Sequence, residues 1–217
     1  MEKTKIALLR VVTLTSESGL DKHAEILAEH YPQFDIDSFC IPDQPDGIYD
    51  QQSHQAAIPK IIELAELLAD QYQAILISCA ADPALTELQQ KLTIPVAGAG
   101  AVSASQALKH SNKVAVLGMG NYQLTAVKET LGDNLLAYRL LKNVKNTHDF
   151  ATQAGQAELY QLAFELKAAG AEVIVLACTG MGALEIADDL AAELGIAVID
   201  PLLTAGLYLQ QDLRQRK

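Results

Sequence analysis

A chain of 217 residues can bury a substantial core, either as one large domain or as two small ones. Half of it is hydrophobic and only 20% is charged, which excludes a disordered chain; a formal net charge of −11 excludes a nucleic-acid or anionic-membrane surface, since Lys and Arg patches hold such partners. The one basic cluster, Arg214, Arg216 and Lys217, reads as a solvated tail. No charged start leads into an apolar stretch and no apolar run approaches the ~20 residues that span a bilayer, so neither a signal peptide nor a membrane segment is expected. The three cysteines are widely spaced, without Cys-x-x-Cys or Cys/His metal spacing. They read as free thiols of a cytoplasmic protein with no metal site.

Ile6 to Thr13 is a continuous apolar run broken only by Arg10, as a buried parallel strand requires. A polar loop holding Thr15, Ser16 and Gly19 follows, then a helix over Leu20 to His30 and a strand over Phe34 to Phe39. Pro42, Pro45 and Gly47 interrupt the stretch from Cys40 to Gln52, which reads as a long active-site loop. Ile58, Ile61, Ile62, Ala65 and Leu68 form a helical stripe within Ser53 to Asp70, with Pro59 admissible only in the first turn. A strand over Ala74 to Ser78 ends on Cys79; a helix from about Pro83 to Lys91, capped by Asp82, and a short strand near Ile94 to Ala97 complete the pass.

The order then repeats. Lys113 to Leu117 restates Lys5 to Leu9, and a helix over Leu124 to Thr130 and a weak strand over Leu135 to Leu140 follow. Next come an irregular segment from Asn143 to His148 and a helix over Ala151 to Ala169, whose stripe of Leu159, Leu162, Ala163 and Leu166 is core packing. Val173 to Ala177, Cys178, a helix through Leu194 and a strand over Ile196 to Ile199 close the second pass. Each pass leads into a small-residue helix, Ser103 to Leu108 and Thr204 to Leu209. Alternating strands and helices build parallel sheets through right-handed crossovers. The expected fold is α/β, with two pseudo-twofold-related lobes: residues 1–98 joined by the C-terminal helix 201–217, and residues 99–200.

Cys79 and Cys178 fall at matching strand ends, where the ligand crevice of a parallel sheet lies. Each precedes a helix whose N-terminal N–H groups favour a thiolate. A lone cysteine there is most simply a small core residue, but packing gives no reason for a matched pair. Two thiols across one cleft suit inversion of a carbon acid's stereocentre: one removes a proton from one face while the other supplies a proton to the opposite face. The developing enolate needs oriented N–H donors, which the small-residue loops Ala80-Ala81 and Thr179-Gly180 can supply, and no metal or pyridoxal is required. Gly118 offers close backbone approach, Arg10 a carboxylate clamp or a structural ion pair, and Ser16, with Thr15, a ligand contact at the first strand-to-helix corner.

Cys79-Ala80-Ala81-Asp82-Pro83-Ala84-Leu85 resembles the Cys-x-x-Asp-Pro-x-Leu motif of hydantoin racemases, and Leu176-Ala177-Cys178-Thr179-Gly180-Met181 resembles their Leu-Gly-Cys-Ala-Gly-Met motif. The resemblance, to the cofactor-independent aspartate/glutamate/hydantoin racemase superfamily, spans the chain. It implies that Cys79 and Cys178 are the acid and base and that the site lies between the lobes. Where relatives commonly end the first strand with Asn-Pro-Asn, this chain has Arg10-Val11-Val12.

Gly98-Ala99-Gly100 and Gly118-Met119-Gly120 each lack the third glycine of a dinucleotide fingerprint and are discounted. Cys40, outside the repeat, reads as structural, and His148 as a surface residue or a group approaching the cleft. The expected function is a racemase or epimerase acting at the alpha carbon of a small amino acid, cyclic ureide or related carbon acid, in a homo-oligomer. The alternatives are a decarboxylase or cis-trans isomerase of small diacids on the same fold, or a non-catalytic module binding a small acid.

Overall fold

The computed structural model describes residues 3–14, 17–120, 122, 124–144, 149–150 and 152–216, with the side chains of residues 17 and 18 excepted. Its strands form two four-stranded sheets. In the first, β1 (Thr4–Arg10), β2 (Phe34–Cys40), β3 (Ala74–Ser78) and β4 (Val96–Ala97) lie in the order β2-β1-β3-β4. In the second, β5 (Val114–Met119), β6 (Leu135–Leu141), β7 (Val173–Leu176) and β8 (Ala197–Ile199) lie in the order β6-β5-β7-β8. Every pairing is parallel, so the second sheet repeats the topology of the first. The central strands are apolar over their buried middles because helices cover both faces.

On one face of the first sheet, Ile6 and Leu8 pack against Ala24 and Leu27 of α1 (Glu17–His30) and Leu202, Ala205 and Leu209 of α9 (Pro201–Gln215). The C-terminal helix thus returns to the sheet with which the chain begins. Asp200 starts it, accepting the N–H groups of Leu202 at 2.7 Å and Leu203 at 2.9 Å, with Pro201 in the first turn. On the other face, Ala7 and Leu9 meet α2 (Gln51–Leu68) and α3 (Leu85–Lys91). The second sheet is covered on one side by α4 (Gly100–Ala107) and α5 (Thr125–Leu131). Its other side carries α6 (Gln153–Ala168) and α8 (Ala187–Leu194), while the single turn α7 (Thr179–Gly182) follows β7.

Three local expectations are corrected. Pro59 lies well inside α2, not in its first turn. Both Pro59 and Gln55, whose carbonyl loses its helical partner, are exposed, so the freed acceptor is open to solvent. The helix expected from Cys178 through Leu194 is broken into α7 and α8 where Glu185 adopts a left-handed φ of 54°. Asp82 does not cap the helix it precedes: Asp82 and Ala84 have φ of 48° and 60°, and α3 starts only at Leu85.

Asp82 instead reaches across to α4, accepting the N–H groups of Gly100 at 2.8 Å and Ala101 at 2.7 Å. The glycine pair exists to admit it. A Cβ on Gly98 would fall 2.3 Å from the Asp82 carboxylate, and one on Gly100 would fall 2.1 Å from the Ala80 carbonyl. This locks the turn after Cys79 to the start of the segment that bridges the two sheets. Asp82→Ala is expected to cost about 2 kcal/mol, because two N–H groups lose a charged acceptor. Urea denaturation checks this: the midpoint should fall at unchanged slope, and Asp82→Asn, which keeps one acceptor, should fall less.

Candidate active site

The carboxyl ends of both sheets open onto one cavity of about 70 Å³, room for roughly five to seven water-sized positions. The first half of the chain supplies Ser78, Cys79, Ala80 and Ala81 to its lining, and the second half supplies Ala177, Cys178, Thr179 and Gly180. Two segments remote in sequence therefore meet in one small space, each bringing a free cysteine. A larger depression of about 350 Å³ beside His30, Asp188 and Asp200 holds neither cysteine.

The two sulfurs sit differently. Cys79 is followed by a tight turn, closed by the Asp82 N–H on the Cys79 carbonyl at 3.2 Å, and the Ala81 N–H points at its sulfur at 3.5 Å. Cys178 is the residue before α7, with the Gly180 and Met181 N–H groups directed at it. The expected thiolates are not favoured in the unliganded cavity. Burial pushes the Cys79 thiol far up, the Ala81 N–H only partly opposing it and Cys178 adding to the rise. Burial also raises Cys178, to about 11, with the Gly180 and Met181 N–H groups and then Arg10 pulling back. Cys178 is thus the more easily ionised of the pair.

Arg10 is the last residue of β1, in register with Ser78 of β3. It is buried, and its Nη1 donates to the carbonyls of Gly19 at 3.0 Å and Leu20 at 2.9 Å, which fixes the guanidinium at the cavity wall. Among the described residues no carboxylate lies within ion-pair distance of it. Beside it His23 of α1 shares a 2.7 Å hydrogen bond with the Ser78 hydroxyl. Burial, with Arg10 and Lys22 adding to it, holds the His23 pKa well below its usual value, so the imidazole is neutral. The Thr179 hydroxyl donates to the Ser78 carbonyl at 3.0 Å, a buried bond between the two halves of the chain.

The remaining walls are apolar: Val11, Val12 and Ile48 from the first half, Met119 and Leu124 from the second. Tyr122 also lines the cavity, and its ring lies 5.5 Å from that of His54 on α2. Nearby, Gly120 has a φ of 68° and no room for a Cβ, which would sit 2.6 Å from the Tyr49 carbonyl. The two halves therefore pack against each other beside the cavity as well as at its floor.

Of the residues expected at the site, Arg10, Cys79, Ala80, Ala81, Cys178, Thr179 and Gly180 all line the cavity. Gly118 does not; the space a Cβ would take there is filled by Tyr138 and Leu140, each 3.1 Å away, so this glycine admits neighbouring side chains. Ser16 and His148 lie outside the described residues. Cys40 pairs in register with Arg10 but is not part of the lining. His23 and Tyr122 were not anticipated. His23 carried a usable signal, since it falls on the buried stripe of α1 with Ala24 and Leu27.

Because the thiolate is the reactive form, the raised Cys178 pKa has a sign that can be read directly. Alkylation of Cys178 by iodoacetamide, followed by peptide mass spectrometry, should be slow at pH 7 and rise about tenfold per pH unit towards a plateau near 11. Cys79 should plateau later still.

The geometry agrees with comparisons to known proteins. The sequence profile of the family described as Asp/Glu/Hydantoin racemase matches residues 9–205. No curated protein matches the sequence. Among solved structures, allantoin racemase from Klebsiella pneumoniae superposes with a TM-score of 0.84 at 19% identity, over 99% of this chain and 89% of its own. Allantoin racemase from Pseudomonas fluorescens gives 0.81 at 16% identity, over 98% and 92%. Glutamate racemase isoform RacE1 from Bacillus anthracis gives 0.69 at 19% identity, over 100% and 84%. The similarity of architecture and a profile spanning both cysteines lead to one conclusion: the chain belongs to the Asp/Glu/Hydantoin racemase family and is an isomerase of the racemase class.

Proposed function

We propose that this protein inverts the stereocentre of a small carbon acid without a cofactor, using Cys79 and Cys178 as acid and base on opposite faces of the reacting carbon. The observation that carries the reading is that both cysteines, from corresponding strand ends of two like sheets, line one cavity. The glutamate and allantoin racemases with the same fold bear on the reaction type, and the substrate class extends over amino acids, cyclic ureides and related carbon acids. The free thiols suit a reducing cytoplasm.

In this reaction the Cys178 sulfur, once ionised, takes the proton from the α-carbon, and the Cys79 S–H gives its proton to the opposite face. The cycle leaves Cys178 as thiol and Cys79 as thiolate, ready for the reverse direction. Burial helps here, because a desolvated thiolate of raised pKa is a strong base. Arg10 meets the substrate carboxylate, and the N–H groups of Ala80 and Thr179 meet the charge that develops as the proton leaves, while those of Ala81 and Gly180 are directed at the two sulfurs. Their small side chains leave that approach open.

Incubation in heavy water with amino acids, hydantoins and hydroxy acids, read by α-deuteration and loss of optical rotation, tests the assignment. Cys79→Ser and Cys178→Ser should each lower racemisation by about 10²–10⁴-fold while leaving the fold intact by circular dichroism. Racemisation that persists in either variant contradicts the two-thiol mechanism.

A further inference from the structure

One stretch of α1 organises a wall of the cavity. The Gly19 and Leu20 carbonyls hold the Arg10 guanidinium at 3.0 and 2.9 Å, and His23, about one turn further along the helix, holds the Ser78 hydroxyl at 2.7 Å. Arg10 and Ser78 are register partners on the neighbouring strands β1 and β3, so their side chains leave the sheet on the same face, and both line the cavity. Ser78 also immediately precedes Cys79. Beside its cation the site therefore carries a hydroxyl, held by a buried imidazole, that the proton transfers of the two thiols do not use. A serine hydroxyl has one proton, and a neutral imidazole has one N–H. If Nε2 carries the ring proton, the hydroxyl proton is spent on Nδ1 and the ring keeps an N–H without a partner among the described residues. If Nδ1 carries it, the ring donates to the Ser78 oxygen and the spare hydrogen is the hydroxyl's. It then lies in the cavity next to Arg10, where an oxygen of the guest accepts from guanidinium and hydroxyl together.

Resting on the racemase reading, we propose that Ser78 is a substrate-contacting donor whose hydroxyl bonds to the substrate oxygen that Arg10 engages, and that His23 is the positioning residue that turns it there. That oxygen belongs to a carboxylate or to a ureide carbonyl. It gains negative charge as the α-proton leaves, so the contact strengthens in the transition state. His23 exchanges no proton with the substrate; its neutral ring donates from Nδ1 throughout.

Two readouts on the intact protein test this. Nitrogen NMR of protein isotopically labelled at histidine reports the His23 tautomer, with His23→Asn identifying its signals; Nδ1–H is expected, and a proton on Nε2 overturns the proposal. The second readout is steady-state racemisation of the compound that exchanges fastest in the heavy-water panel. Ser78→Ala, which keeps the backbone carbonyl that Thr179 binds, should lower kcat on the order of 10²-fold with a smaller change in KM. His23→Leu should lower it by a similar factor, and His23→Asn, whose amide donates from the place of Nδ1, should restore most of the loss. His23→Leu combined with Ser78→Ala should fall no further than Ser78→Ala alone, because His23 acts through Ser78. An unchanged kcat in Ser78→Ala, or His23→Asn no better than His23→Leu, overturns the proposal. The two claims fail separately. If the wild type exchanges no compound, the racemase reading falls and the tautomer still decides the donor. If the wild type and Ser78→Ala racemise equally, the donor falls and the racemase reading stands.

Discussion

The buried hydrogen bond from the Thr179 hydroxyl to the Ser78 carbonyl is the constraint on which the site depends. Each sheet by itself brings one cysteine to the cavity, and one thiol can serve only one face of a carbon. Ser78 immediately precedes Cys79 and Thr179 immediately follows Cys178, so this single bond fixes the separation of the two thiol-bearing segments. Ser78 is itself held from the side by His23 and lies in register with Arg10. A buried bond of this type contributes about 1 kcal/mol net, while leaving its acceptor unpaired costs about 1–3 kcal/mol. Its importance is therefore geometric: the return of α9 to the first sheet and the Asp82 cap on α4 hold the same arrangement from farther out.

Burial acts on the chemistry in two opposing ways. Desolvation raises both thiols, so few molecules hold a thiolate in the unliganded state. The same desolvation makes the thiolate, once formed, a far stronger base than an exposed one, which a weakly acidic carbon demands. Arg10 breaks the symmetry, since its charge lies close enough to Cys178 to favour ionisation there. An architecture repeated twice thus carries a site with unequal halves: a cation on one side, and Gly118 with Tyr138 packed over it on the other.

Much of this was legible in the sequence because the signals are local. Apolar central strands, the restated Lys-Ile-Ala-Leu-Leu and Lys-Val-Ala-Val-Leu runs and the two cysteines at strand ends give the two parallel sheets and place both thiols at their carboxyl edges. What escaped depends on partners distant along the chain. Asp82 precedes one helix yet caps another, because the glycines at 98 and 100 leave room for its carboxylate. Gly118 looks like a backbone approach point until Tyr138 folds over it. The thiols look activated by helix ends until burial is counted, and His23 looks like an ordinary helical histidine until Ser78 meets it.

The central claim is that two thiols act from opposite faces of one carbon, and the isotope content of the two enantiomers tests it most directly. With a single enantiomer of a turned-over substrate in heavy water, stopped at low conversion, a thiol on each face predicts that the product enantiomer carries solvent deuterium at the α-carbon. The recovered substrate should keep its protium. Equal deuterium in both enantiomers would mean that one group exchanges both faces, and would contradict the account.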